Sequence, residues 1–425
     1  MELKPYPKYK DLGIQGIDKI PEGWEVRKVK HLSTNLDEKR VPLSADVRKE
    51  GEIPYYGATG VLDYVQDYLF NETLLLIGED GAPFFDKTKS VAYIIKGKSW
   101  VNNHAHVLRI NKNLEISWLC YYLNTVDYSR YIKGSTRDKL NQDELSNIIV
   151  ITPPLSDQVA LANFLDKQTA KIDALIEKDK KLIALLKEKR TALINHAVTK
   201  GLDPNVKLKD SGIDWIGEIP EGWEVVPLKK YLETFVDYRG ATPEKTDEGI
   251  FLVTGKNIKD GKIDYELSKE YVFEDQYEEV MHRGKPKIGD LLFTTEAPLG
   301  EVANVDYEKI ALAQRIIKIR GKKQKLDDYY LKYYIKTQLF QSHLQSLATG
   351  STALGLKASN WCFLRLIVPP LSEQNAIASY LDKTTSKIDK AIQKIEDKIK
   401  LLEEYKKSLI HYVVTGKVDV RGVEA

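Results

Sequence analysis

Two long stretches of this chain repeat apolar residues at alternating spacings of four and three. The first runs through Leu165, Ile172, Ile176, Ile183, Leu186, Leu193 and Ala197, with Thr169, Asp179 and Arg190 at the remaining seam positions. The second runs through Leu381, Ile388, Ile392, Ile395, Ile399, Leu402, Leu409 and Val413, with Thr385 and Lys406 completing it. A mean spacing of 3.5 held over more than four heptads is the seam of a coiled coil, and the other faces are dense in Lys, Glu and Asp. At 1.5 Å per residue each helix should be roughly 60 Å long. Each stretch opens after Pro-Pro-Leu with a serine, Ser156 or Ser372, of the type that caps a helix N-terminus. Outside the two stretches the pattern shortens to β-branched runs such as VAYIIKG (91–97) and RIIKIRG (315–321), broken by Gly-containing turns. That pattern predicts mixed α/β segments with small sheets.

The chain is a tandem duplication. Residues 10–26 and 209–225 match without gaps at an offset of 199, with 12 of 17 identical. Residues 153–173 and 369–389 match at an offset of 216, with 14 of 21 identical. The middle sections, 27–152 and 226–368, diverge, though LLLIGEDGA (74–82) resembles LLFTTEAPLG (291–300), WLCYYL (118–123) resembles YLKYYI (330–335), and GSTR (134–137) matches GSTA (350–353). A kept scaffold with divergent surfaces predicts two modules selected to contact different things. Two helices related by duplication are expected to pack as an antiparallel coiled coil with pseudo-two-fold symmetry, placing the modules at opposite ends of a stiff rod. The expected fold class is α+β. One globular domain spans 1–152, a helical spacer 153–200, a linker and second domain 201–368, and a second spacer 369–425.

Composition narrows the setting. The 425 residues, 42% hydrophobic and 30% charged, suit two or three globular domains. No apolar run is long enough for a membrane span, and the N-terminus lacks the apolar core of a secretory signal. Two unrelated cysteines, Cys120 and Cys362, exclude a disulfide framework and point to the cytoplasm. The net charge of +2 neither announces nor excludes nucleic acid, because only the local gathering of cations matters.

No catalytic constellation is visible. TPPL (152–155) and VPPL (368–371) share Pro-Pro with amino-methyltransferase motifs but lack the residues that hold and stack a flipped base. Gly249 to Lys256 has the wrong spacing for a phosphate loop, and Asn257 stands where Ser or Thr must bind magnesium. Glu396/Lys398 and Glu404/Lys406 have nuclease-like spacing but lie in the coiled coil. His104 and His106 alternate as on a strand with no third ligand nearby in sequence, so no metal and no cofactor is expected.

Several segments interleave basic, hydroxyl and aromatic side chains: YYGATG (55–60), SRYIKGSTRDK (129–139) and VDYRGATPEK (236–245). Such loops suit contacts to phosphates and base edges. The candidate DNA-contacting residues are Tyr56, Thr59, His104, His106, Lys133, Ser135, Thr136 and Arg137 in the first domain. In the second they are Arg239, Lys256, Asn257, Gln314, Arg315, Ser351 and Thr352. The shared Gly-Ser-Thr suits a phosphate contact or a turn better than base reading. These residues leave three functions open: a DNA reader, a methyltransferase with an embedded recognition domain, and a coiled-coil adaptor that binds only proteins.

The order of YPKYKDLG, IPEGWEV, KDSGIDWIGEIPEGWEV and the two PPLS(D/E)Q segments resembles the specificity subunits of Type I restriction-modification systems along essentially the whole chain. The resemblance implies two target-recognition domains, each reading half of a split site in double-stranded DNA. It also implies helical regions that space them and dock two modification (methyltransferase) subunits, with restriction subunits joining through the complex. The chain itself would carry no activity. One departure is that Leu12, Gly16 and Asp18 stand where the second copy has Ser211, Trp215 and Gly217, so the two copies need not present the same docking surface.

Overall fold

The computed structural model describes residues 3–14, 17–48, 50–86, 88–132, 138–240, 242–350 and 354–423. The chain divides into two compact units: residues 1–180 with 396–425, and residues 181–395.

In the first unit, β1 (Tyr9–Ile14) and β2 (Ile17–Pro21) form a hairpin, and β3 (Glu25–Lys28) passes through the single-turn α1 (Val29–Leu32) into β4 (Ser33–Asn35). Seven strands follow: β5 (Ile53–Gly57), β6 (Gly60–Val65), β7 (Phe70–Asn71), β8 (Leu74–Gly78), β9 (Ala92–Ile95), β10 (Lys98–Val101) and β11 (Ala105–Ile110). Then come α2 (Ile116–Leu123), α3 (Gln142–Asn147), β12 (Ile149–Thr152) and the long α4 (Leu155–Lys200). Among the described residues one sheet has the order β4-β11-β8-β9, all antiparallel. The other has the order β6-β5-β10-β7, with β5 and β10 parallel.

The second unit contains β13 (Leu208–Asp210), β14 (Glu218–Pro220), β15 (Glu224–Pro227), β16 (Leu232–Asp237), β17 (Ile250–Val253), β18 (Ile258–Lys259), β19 (Lys262–Ile263) and β20 (Tyr271–Val272). It continues with α5 (Tyr277–Val280), β21 (Leu291–Thr295), β22 (Leu299–Asn304), β23 (Ala311–Leu312), β24 (Ile316–Gly321), α6 (Asp328–Ile335), α7 (Gln338–Leu347), β25 (Arg365–Val368) and α8 (Leu371–Val414). Its antiparallel sheet is β16-β24-β21-β22, and its second sheet is β20-β17-β23 with β17 and β23 parallel. The two units therefore share one pairing scheme, although their middle sequences differ. α7 is an addition of the second unit among the described residues.

The central strands explain why the middle sections keep a few apolar runs. Every residue of β8 and of β21 is buried. Leu75 and Ile77 enter the larger core of the first unit, while Leu74 and Leu76 enter a smaller one on the opposite face. Leu291 and Phe293 divide from Leu292 in the same manner. An antiparallel sheet covered on both faces needs apolar side chains at consecutive positions, which is what LLLI and LLF supply. The register also corrects the simple alignment of these runs: Ala105 pairs with Gly78 and Ile316 with Thr294, so Leu75 rather than Leu74 is the counterpart of Leu291.

The fold class is α+β with two long helices, which pack antiparallel within each unit. In the first unit Lys406 reaches Asp173 (2.7 Å) and Lys398 reaches Asp179 (2.8 Å). In the second, Arg190 pairs with Asp389 (3.0 Å). Each predicted seam residue is buried or half-buried, from Leu165, Leu381 and Val413 at full burial to half-buried Ile183, Leu186, Leu193, Ile395, Ile399 and Leu402. Asp173–Lys406 and Asp389–Arg190 occupy equivalent places. Asp179–Lys398 does not, because Ile395 and Leu182 stand at the corresponding positions. The helices run to 46 and 44 residues, about 65–70 Å.

Ser156 and Ser372 are not caps. The helices start one residue earlier, and the carbonyls of Pro154 and Pro370 accept the first helical hydrogen bonds. The repeated motif is explained by its glutamine. Gln158, 1% exposed, accepts from Glu115 N and donates to Pro153 O. Gln374, fully buried, accepts from Asp327 N and donates to Pro369 O and Lys325 O. Each glutamine staples the start of a long helix to the start of the short helix in its own unit, α2 or α6, satisfying backbone groups that burial would otherwise leave unpaired.

Candidate nucleic-acid interface

In each unit the strand ends of the antiparallel sheet gather the same set of backbone positions. Glu79 N donates to His104 O, and Thr295 N to Arg315 O, both at 2.8 Å. Asn102 N donates to Tyr56 O, and Ala313 N to Val253 O. Leu140 N donates to Glu79 O, and Leu356 N to Thr295 O. These bonds make His104 the counterpart of Arg315, Asp80 of Glu296, and Thr59 of Lys256. The strand registers add Asp37 as the counterpart of Asp237. Several candidates chosen separately in the two copies thus fall on matching positions.

In the second unit three of the candidates, Arg239, Gln314 and Arg315, line one cleft of about 450 Å³ together with Gly240, Thr242, Thr295, Glu296, Thr349, Gly355, Leu356 and Lys357. Arg239 is held by Asp237 through Nε (2.9 Å) and donates from Nη1 to Leu356 O (3.1 Å). The Asp237 hydrogen bonds hold the guanidinium pKa above its ordinary value. Arg239 is therefore a wall of the cleft. Gln314 and Arg315 follow one another in the left-handed region, with φ of +42° and +63°. This conformation is costly for residues with a Cβ and concentrates at functional sites. Gln314 donates to Thr242 Oγ1 (3.3 Å), and Arg315 Nε pairs with Glu296 (3.0 Å). A side chain built on Gly255 would stand 3.9 Å from Arg315 Cβ, and the next residue, Lys256, is exposed but is not among those lining the cleft.

Asn257 is withdrawn from the candidate set. It is fully buried; its Oδ1 accepts from Thr254 N, and its Nδ2 donates to Asp264 O and Ser268 O. It builds the turn that positions Lys256.

In the first unit Tyr56, the last residue but one of β5, lies beside Tyr93 with ring centroids 6.0 Å apart, and burial raises its hydroxyl pKa. Thr59 is exposed in the following turn. His104 is tied to Tyr56 through Asn102, whose Oδ1 accepts from His104 N, and its Nδ1 contacts Asp80. His106 is likewise withdrawn. It is 1% exposed, with Nδ1 on Asp37 Oδ2 (2.5 Å) and Nε2 on Leu140 O (2.7 Å), so neither nitrogen faces a ligand.

The fold brings Asp37 and Glu79 to His106, all three offering ligand atoms within 4.8 Å of one another, which corrects the absence of a third ligand in sequence. The arrangement is that of an ion-pair core. Arg40 pairs with both carboxylates, Lys139 reaches Glu79 (3.0 Å), and Val107 N donates to Asp37 (2.8 Å). Burial raises the Asp37 and Glu79 carboxyls, but the hydrogen bonds from His106 to Asp37 and from Arg40 and Lys139 to Glu79 outweigh it. Both are held below the ordinary carboxylate range. Arg40 and Arg239 do the same work: each follows the aspartate by two or three residues and ties it to the strand ends.

Lys133, Ser135, Thr136, Arg137, Ser351 and Thr352 lie outside the described residues. Sequence reasoning reached Thr242 and Lys139 only as members of the 236–245 and 129–139 segments, and did not single out Glu296 and Lys357 in the second unit or Arg40 and Asp80 in the first. A larger hollow in the first unit, about 680 Å³ and lined by Tyr9, Tyr122, Tyr131 and His411 among others, lies away from this set. In the second unit Trp215 stacks on His343 (4.2 Å), where the first copy has Gly16, outside the described residues.

A duplicated α+β unit with one scaffold and two differently furnished strand ends defines a two-module protein. The family model of the Type I restriction modification DNA specificity domain matches residues 21–185 and again 220–401. The chain belongs to the family of Type I restriction-modification specificity subunits. It is 27% identical over 374 residues to a putative type I restriction enzyme specificity subunit of Haemophilus influenzae, covering 86% of this chain and 89% of that one. It is 24% identical over 429 residues to the type I restriction enzyme MjaVIII specificity subunit of Methanocaldococcus jannaschii, covering 95% of each. Among solved structures, the HsdS subunit of Thermoanaerobacter tengcongensis matches with a TM-score of 0.52 at 14% identity, over 95% of this chain and 99% of that one. A chain solved in work on complex assembly and conformational transition of the type I R-M system matches with a TM-score of 0.64 at 14% identity, over 94% of this chain and all of that one. Both likenesses concern the fold. No helix among the described residues is long and apolar enough to cross a membrane.

Proposed function

We propose that this chain is the non-catalytic specificity subunit of a Type I restriction-modification complex. Each unit reads one half of a bipartite, asymmetric site in double-stranded DNA. The long helices set the separation of the half-sites and dock two modification subunits, through which restriction subunits join. The observation that carries this reading is the pair of equivalent strand-end sites with different side chains, His104 and Asp80 in one unit and Arg315 and Glu296 in the other. One scaffold presenting two chemistries suits a split site whose halves differ. The Pro-Pro segments, which share only Pro-Pro with the amino-methyltransferase motif, are built as helix-start turns, and this supports leaving the chemistry to partners. Purified with its modification subunits, the chain should protect a single bipartite sequence from nuclease digestion. Equal affinity for all duplexes would contradict the reading.

A further inference from the structure

We propose that the Arg315–Glu296 pair reads one G·C base pair in the major groove of the half-site served by the second unit. On this reading, position 315, with its counterpart His104, is a specificity-determining position in each unit. The inference rests on the function proposed above and adds the residues and the base pair.

Arg315 is presented by the backbone rather than by a flexible stem alone. It sits with Gln314 in a two-residue left-handed turn. Its carbonyl is pinned by Thr295 N (2.8 Å) and Thr295 Oγ1 (3.1 Å), both on a buried residue. Its side chain is nevertheless 52% exposed, and Nε is held by Glu296, itself 43% exposed. The guanidinium is thus ordered before any ligand arrives, which lowers the entropic cost of a specific contact.

The carboxylate decides what the arginine can read. A phosphate would meet Glu296 alongside Arg315 and be repelled, so the pair is a poor backbone clamp. The major-groove edge of a G·C pair presents two acceptors on guanine, O6 and N7, and one donor on cytosine, N4. A guanidinium beside a carboxylate is the complement of that pattern: Arg315 donates to O6 and N7, and Glu296 accepts from N4. Phosphate contacts fall instead to exposed Lys357 and Thr242 at the cleft's rim. In the first unit the same backbone position carries His104 against Asp80, a smaller donor–acceptor pair suited to a different base edge.

The test uses the full chain assembled with its modification subunits, and duplexes in which each base pair of both half-sites is replaced in turn. Arg315→Ala should abolish discrimination at one G·C pair in the second unit's half-site, a loss of roughly 10- to 100-fold there. Arg315→Lys, which loses the planar fork but keeps a donor, should weaken it at the same pair. Preferences at every first-unit position should remain, which also reports that the complex has folded. Glu296→Gln should weaken discrimination at the same base pair. Lys357→Ala should instead lower affinity for all sequences alike and reduce the salt dependence. The proposal is overturned if Arg315→Ala leaves every preference intact, if both arginine variants weaken all sequences equally, or if the relaxed position is not G·C. A wild-type complex without sequence preference would instead overturn the proposed function.

Discussion

Replacing Asp37 with alanine is expected to destabilise the first unit by about 3–5 kcal/mol, the range for removing one partner from a buried charge cluster. Asp37 is 7% exposed and accepts from His106 Nδ1, Val107 N and Asn35 Nδ2, with Arg40 at 3.5 Å. Its loss leaves a buried histidine and a nearly buried arginine with Glu79 as their remaining carboxylate. The cluster also ties the site's strand ends to β4, so the first half-site preference should be lost with stability. Urea denaturation followed at several pH values checks the stability, and binding of the assembled complex to duplexes altered in the first half-site checks the preference. Asp37 and Glu79 titrate below their ordinary values in the folded chain, so the unfolded chain takes up protons first on acidification. Their contribution is fully present above the ordinary carboxylate range, about pH 4, and is lost as pH falls through the lower folded values. The Asp37→Ala protein should lose the Asp37 share of this acid dependence and keep the Glu79 share, which Arg40 and Lys139 still hold. Asp237, its counterpart, is 32% exposed and its replacement should cost far less.

Asp290→Ala should have an effect of similar size in the second unit, about 3–5 kcal/mol near neutral pH. Asp290 is 1% exposed and bridges Lys318 (3.4 Å) and Arg320 (2.5 Å), with Lys318 itself only 3% exposed. Burial lowers the Lys318 pKa, and the Asp290 charge opposes that effect. Without Asp290 the folded-state pKa of Lys318 falls further below its unfolded value, so the unfolded chain binds the extra proton and stability rises with pH. The deficit should therefore shrink toward alkaline pH. The double variant Asp290→Ala, Lys318→Met should recover part of it at neutral pH, because the buried cation is gone. A deficit that is independent of pH, with no recovery in the double variant, would assign the cost to packing alone.

The repeat, both seams and the two small-sheet domains are legible in sequence because each depends on local periodicity or on identity at a fixed offset. Other features depend on residues that only the fold brings together. The walls of the second unit's cleft come from segments around positions 240, 296, 315 and 356. Nothing local marks Glu296 or Lys357 as neighbours of Arg315. His106 and Asn257 read as surface polar residues because period-two alternation and Gly-rich surroundings carry no information about burial. Each is a satisfied interior group, His106 against Asp37 from 69 residues away. The glutamine of PPLS(D/E)Q is visible as a repeated residue, but its role needs the helix it staples. Conversely, Thr59 and Lys256, picked from unrelated-looking loops, prove to be counterparts, because the duplication preserved backbone pairing after the side chains diverged.

Each unit is proposed to read its own half of a split site. Exchange of residues 27–152 for the matching section of a relative, followed by methylome sequencing of cells carrying the exchanged and original chains, tests it most directly. One half of the methylated sequence should change while the other half and the gap between them stay as they were. A change in both halves, or methylation that no longer follows any bipartite sequence in a complex that still assembles, would contradict it.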